Sequence, residues 1–218
     1  MAIKAVVFDI GGILEIIPEG GDPTRRFPEM MARWERRLDM APGELGAQIK
    51  GMDERLTAAG KDGALGTCSY EEWVAELRAV TGWDAARTDE FMDDFWDTYI
   101  GDPNPELAAY FVGLRPRYRT AFLSNSFVGA REREHVARGF GDMAEMIVYS
   151  HEVGVAKPDP RIYALTCERL SVQPVEMVFL DDAPGNIAAA RDFGIHGVLF
   201  QDNAQAIREI EALLAAHA

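Results

Sequence analysis

Cysteine is scarce in this chain: its 218 residues carry only Cys68 and Cys167. Neither belongs to a CxxC or metal-ligand pattern, so two buried, reduced thiols are expected rather than a disulfide. Long apolar runs are absent. None approaches the roughly 18 residues that a membrane-spanning helix needs, so no membrane partner is expected. Positive charge is also short, with 22 Lys and Arg against 36 Asp and Glu and a net charge of −14. That balance argues against a nucleic-acid partner, because phosphate backbones need clustered Lys and Arg. Met1-Ala2-Ile3-Lys4 enters a strand at once and leaves no room for a signal peptide, so the expected compartment is the cytoplasm. The chain shows no internal repeat and no low-complexity tract. Oligomeric state is not written in any residue pattern; a homodimer is compatible with it.

With 48% hydrophobic residues, the chain can bury a real core, and its length fits one domain plus a modest insertion. From about residue 105 onward, short apolar strands (119–124, 146–149, 177–181, 197–200) alternate with helices (127–138, 160–170, 184–193, 203–216). This alternation predicts right-handed βαβ units and a parallel sheet, joined from far away in sequence by a first strand at 3–9. Residues 22–101 read as wholly helical. Phe27, Met31, Trp34 and Leu38 mark one apolar face, and Phe91, Met92, Phe95, Trp96 and Tyr99 mark another. Ser69 with Glu72 forms a capping box for a helix that Gly82 ends. Asp102-Pro103-Asn104-Pro105 is a breaker where the chain returns to the sheet. The expected fold is therefore α/β, a Rossmann-like doubly wound parallel sheet with an inserted all-helical module. Residues 1–21 and 102–218 form the core and 22–101 the insertion. The aromatic stripes are expected to be the core of that module. An arginine group (Arg25, Arg26, Arg33, Arg36, Arg37) is read as a solvated helix face, with an anionic substrate as the alternative target.

Two apolar strands end in bare carboxylates. Ala5-Val6-Val7-Phe8 runs into Asp9, and Met177-Val178-Phe179-Leu180 runs into Asp181 and Asp182. Strands of a parallel sheet are buried on both faces, so acids at their carboxyl ends stand at the rim where open α/β sheets bind ligands. Clustered carboxylates without a cation are costly, and hard divalent ions such as Mg²⁺ take oxygen ligands. The pattern predicts a metal-assisted site assembled from both ends of the chain. Taken alone, an acid at a strand end caps a helix or turn just as readily.

Four short segments fall in order: Phe8-Asp9-Ile10-Gly11-Gly12-Ile13-Leu14, Leu123-Ser124-Asn125, Lys157-Pro158, and Leu180-Asp181-Asp182 followed by Asn186. Together they resemble the haloacid dehalogenase superfamily over essentially the whole chain, with the insertion resembling its helical cap. The resemblance implies a Mg²⁺-dependent hydrolase of phosphoric monoesters acting on a small phosphorylated metabolite. It implies Asp9 as nucleophile, forming an aspartyl-phosphate that water hydrolyses. Ser124 and Asn125 would bind the phosphoryl group, and Lys157 would neutralise charge shared between Asp9 and substrate. Asp9, Asp181, Asp182 and the backbone carbonyl of Gly11 would hold the metal.

One departure qualifies this. Most phosphatases of the family carry a second aspartate two residues after the nucleophile, where this chain has Gly11. That aspartate protonates the leaving group, a contribution of about 10²–10⁴-fold. Three accounts stand: a substrate whose leaving group needs little protonation, such as an acyl or anomeric sugar phosphate; a substitute acid (Glu15, Glu19 or a cap residue); or a non-catalytic phosphate- or metal-binding regulatory protein. Members lacking this acid also include metal-free 2-haloacid dehalogenases and phosphonate hydrolases, but the Asp181–Asp182 pair argues against a metal-free enzyme. His151 is read as an ordinary loop residue.

Overall fold

The computed structural model describes residues 1–16 and 26–218. The chain forms β1 (Ala5–Phe8), leaves the sheet through β2 (Glu15–Ile16), and runs through α1 (Arg26–Arg37), α2 (Glu44–Ala58), α3 (Tyr70–Thr81) and α4 (Ala85–Ile100). It returns by β3 (Asp102–Pro103) and α5 (Pro105–Leu114), then β4 (Arg119–Ser124), α6 (Ala130–Arg138), α7 (Phe140–Met143) and β5 (Met146–Tyr149). The remainder is α8 (Ser150–Val153), α9 (Pro160–Leu170), β6 (Met177–Asp181), α10 (Pro184–Asp192), β7 (His196–Leu199) and α11 (Asn203–Ala216).

The long strands form one parallel sheet in the order β5-β4-β1-β6-β7. Their continuous apolar composition follows from burial on both faces. Val6, Phe8, Phe122 and Leu180 face one helical layer, while Val7, Leu123, Phe179 and Ala121 face the other. Phe8, Phe111 and Phe122 pack ring to ring at 4.8 and 4.5 Å. Each such buried ring contributes about 1.5–3 kcal/mol. With β1 central, chain directions diverge on either side of it, and a crevice opens at the carboxyl ends of β4, β1 and β6.

The helices α1–α4 enclose a separate core of Met30, Trp34, Leu45, Met52, Trp73, Leu77, Phe91 and Trp96. Its aromatic stripes are packing residues, as expected, and the predicted capping box stands at Ser69 and Glu72, with Gly82 ending α3 in left-handed geometry. The predicted α1 stripe packs on this core, with Trp34 buried and Phe27, Met31 and Leu38 partly covered, and Met30 and Glu35 are buried beside it. Glu35 is buried through a polar contact. Gly43 offers α2 no side-chain cap, and the Glu35 carboxylate instead accepts from the amides of Gly43 at 2.8 Å and Leu45 at 3.0 Å, which draws it inward. Of the arginine group, Arg33 pairs with Asp94 and Arg37 with Glu90, tying α1 to α4. Cys68 lies in this core and Cys167 in one layer of the sheet, both as buried free thiols.

Asp102-Pro103 does more than break a helix. It pairs antiparallel with Glu15-Ile16, giving a two-stranded neck between sheet and helices. Asn104 then caps α5 while donating to the Ile13 carbonyl at 2.9 Å. The boundary expected at 21/22, Glu19 and Arg25 lie outside the described residues. No helix among the described residues is long and apolar enough to cross a membrane.

Candidate active site

Strand register builds the site. Phe8 is level with both Phe122 and Leu180, so the next residue of each strand, Asp9, Leu123 and Asp181, reaches the rim together. The Asp9 amide confirms the alignment by donating to the Leu180 carbonyl at 2.8 Å. Side chains alternate along a strand, so Asp9 and Asp181 emerge on the same face as Val7 and Phe179. Oxygens of Asp9, Asp181 and Asp182 lie within 4.8 Å of one another. The sequence-predicted acids from both ends of the chain are thus brought together.

Lys157 sits between them. Its Nζ lies 2.8 Å from Asp9 Oδ1 and 2.7 Å from Asp181 Oδ2, and it rests over the Phe179 ring at 5.4 Å. Only 4% of Lys157 is exposed, against 8% of Asp9 and none of Asp181. Two asparagines hold this arrangement. The Asn125 amide donates to the Lys157 carbonyl and accepts from the Lys157 amide, both at 2.8 Å. Asn186 Nδ2 donates to both oxygens of Asp181 at 3.0 and 3.1 Å, and the Ala183 amide adds a bond at 2.8 Å.

These bonds divide the acidic pair. Asp181 is buried and its oxygens already accept from Lys157, Asn186 and Ala183; a carboxylate has about four such lone-pair positions. Asp182 is exposed and stands against Gly12, where an added Cβ would fall 2.2 Å from Asp182 Oδ2. Gly12 has φ +73, so both the turn and this close approach require glycine there. At Gly11, by contrast, an added Cβ meets nothing within 4 Å.

The electrostatics show what the cluster lacks. Burial pushes Asp9 up to about 7, with Lys157 opposing and Asp181 reinforcing the shift. Burial, and then Asp181, raises Asp182 as well. Carboxyl groups that resist ionisation while gathered around one point need additional positive charge, and an all-oxygen donor set suits Mg²⁺. Asp9, Asp181 and Asp182 make up such a donor set, with Asp181 also accepting from Lys157, Asn186 and Ala183.

Of the other predicted residues, Ser124 ends β4, buried, with its hydroxyl making only a 3.4 Å contact to the Asn125 carbonyl. Asn125 follows it at the strand end, its side chain bonded to both sides of the Lys157 peptide. Glu15 is buried beside Glu134, and burial followed by the Glu134 charge lifts it to about 9. His151 accepts or donates through Nδ1 at 2.7 Å from Ser126 Oγ. Both bracing asparagines are marked by the spaced segments, Asn125 after Ser124 and Asn186 after the acidic pair, but their bracing role and Glu134 carry no sequence signal.

A family model described as haloacid dehalogenase-like hydrolase matches residues 3–194. Bifunctional epoxide hydrolase 2 of Sus scrofa is 26% identical over 97% of this chain, which spans only 39% of that protein's length. The D-ribitol-5-phosphate phosphatase of Bacteroides thetaiotaomicron is 23% identical, with 97% of this chain matched to 98% of that protein. Among solved structures, a HAD-family enzyme from the same organism, in complex with magnesium and inorganic phosphate, superposes with a TM-score of 0.69 at 22% identity. That match covers 92% of this chain and 95% of the other, and at such identity it shows the shared fold.

Proposed function

The chain belongs to the haloacid dehalogenase-like hydrolases, and from that membership we propose a phosphatase of small phosphorylated metabolites that uses Mg²⁺. The observation that carries this reading is the convergence of Asp9, Asp181 and Asp182 within 4.8 Å, with Lys157 buried against the first two. The phosphatase relative and the magnesium- and phosphate-bound structural neighbour agree with it.

In this reading an ionised Asp9 oxygen attacks phosphorus, the bond to the leaving oxygen breaks, and an aspartyl-phosphate forms. Water then attacks phosphorus, releasing inorganic phosphate and restoring the carboxylate. Lys157 opposes the burial that raises Asp9, favouring its ionised form, and offers positive charge to the incoming phosphoryl oxygens. The Ser124 hydroxyl, weakly engaged, donates to one of those oxygens. Asp9, Asp181, Asp182 and the Gly11 carbonyl would hold Mg²⁺, which when bound would screen the negative charge of nucleophile and phosphoryl group from each other. Gly11 supplies no proton to the leaving group. Substrates with good leaving groups, such as acyl phosphates or anomeric sugar phosphates, are therefore favoured over alkyl phosphates.

Asp9→Asn tests the assignment. Magnesium-dependent phosphate release on a panel of phosphate esters should fall to background in that variant. Retained turnover would remove Asp9 as nucleophile. Magnesium binding by the native protein without turnover on any member of the panel would favour the binding or regulatory alternative, which Gly11 keeps open. Halide release in chelator would favour a dehalogenase, against which the paired acids stand.

A further inference from the structure

The segment just beyond Ser124 makes contacts that the chemistry above does not use. Phe127 leaves the core and enters the cap, its ring 5.2 Å from Trp73, 6.0 Å from Phe95 and 6.3 Å from Trp96. Its amide donates to the Tyr99 hydroxyl, in the last turn of α4, at 3.2 Å. The Val128 amide donates to the Gly63 carbonyl at 3.1 Å. The Ser150 hydroxyl joins both bodies, donating to the Ala64 carbonyl at 2.8 Å and accepting from the Ser126 amide at 2.9 Å. Two glycines of the cap turn allow this approach. A Cβ on Gly63 would sit 2.4 Å from the Phe127 ring, and one on Gly66 (φ +68) would sit 1.8 Å from the His151 carbonyl oxygen.

These contacts fall on Ser126, Phe127 and Val128, continuous in sequence with Ser124 and Asn125. Ser124 ends β4, Asn125 holds the Lys157 peptide, Ser126 is held by Ser150 and His151, and Phe127 is held by the cap. Movement of Phe127 out of the cap would expose apolar ring surface and drag the stretch that carries Ser124 and Asn125. We propose that Phe127 is a positioning residue: seated among the cap aromatics, it sets residues 124–127 in the geometry that receives a phosphoryl group. Docking of the cap and completion of the phosphoryl site are then one event. The inference rests on the phosphatase reading, since it assigns the phosphoryl group to this loop.

Inorganic phosphate binding in the presence of Mg²⁺, measured by calorimetry, and steady-state kinetics on an aryl phosphate test it together. Phe127→Ala should weaken phosphate binding and raise KM by about tenfold or more, with a smaller change in kcat, since small misplacements of a binding group are expensive. Phe127→Leu, which keeps an apolar anchor, should recover part of the loss. Gly63→Ala, whose Cβ would fall 2.4 Å from the Phe127 ring, should reproduce the loss from the cap side without altering residues 124–127, and it decides the matter if Phe127→Ala does not fold. Native phosphate affinity in a folded Phe127→Ala or Gly63→Ala protein would reduce Phe127 to a packing residue. Failure of the native protein itself to bind phosphate would instead overturn the phosphatase reading, and this inference with it.

Discussion

Gly11 and Gly12 are neighbours with opposite tolerances. At Gly12 a side chain would strike Asp182, so glycine is required for the acidic cluster to close. At Gly11 the space is open and the residue is exposed, so the acid missing from this position is absent for a reason other than steric exclusion. Gly11→Asp should therefore fold normally and raise turnover of alkyl phosphates relative to acyl phosphates. The gain is bounded by about 10²–10⁴-fold, the usual worth of a placed general acid. Equal native rates on alkyl and acyl phosphates would show that leaving-group protonation is already supplied. Lys157 shows the same dependence on surroundings. In sequence it stands in a Gly-Val-Ala-Lys-Pro loop, where a solvated side chain is the ordinary outcome. Asn125 turns it inward by holding its peptide on both sides.

The neck formed by β2 and β3 carries a buried acid whose cost is measurable. Glu15 is 4% exposed, and its Oε1 has no hydrogen-bond partner. Burial, then Glu134, pushes it from 4.5 up to about 9. Glu134, on α6, is raised by burial to about 7 although the Tyr149 hydroxyl donates to it. A folded-state value above the unfolded one means that the native protein retains a proton which the unfolded chain releases between those two values. The stabilising contribution is therefore complete below 4.5 and is lost as pH rises toward 9. Glu15→Gln keeps a neutral side chain of similar shape at every pH. Thermal melts should show it gaining about 2–4 °C or more over the native chain at pH 9, a shift worth roughly 1 kcal/mol at this size, and gaining nothing at pH 4. A pH-independent difference would mean that Glu15 titrates alike in the folded and unfolded chain.

At the scale of the whole molecule, the sheet rim gathers negative charge in a chain already at −14, so a bound cation should stabilise the native state by mass action. Magnesium at about 100 times its dissociation constant is worth about 2.7 kcal/mol. The melting temperature should rise with added Mg²⁺, and Asp182→Asn should abolish the rise; an unchanged response would move the metal away from Asp182. Much of this architecture was legible from residue order. Apolar runs punctuated by glycine and proline predicted the sheet, Ser69 with Glu72 predicted the start of α3, and four spaced segments predicted which loops meet, because each is a local signal. The burial of Glu35, which caps α2, carried no such local signal. The different hydrogen-bond partners of Asp181 and Asp182, the hold of the Asn125 side chain on the Lys157 peptide, the nearness of Glu15 to Glu134 and the seat of Phe127 in the cap were decided only by the tertiary structure. Local propensity and spacing follow from backbone geometry a few residues at a time. Which lone pair or ring meets which partner depends on groups far apart in sequence (172 residues for Asp9 and Asp181), and is settled only when packing brings them together.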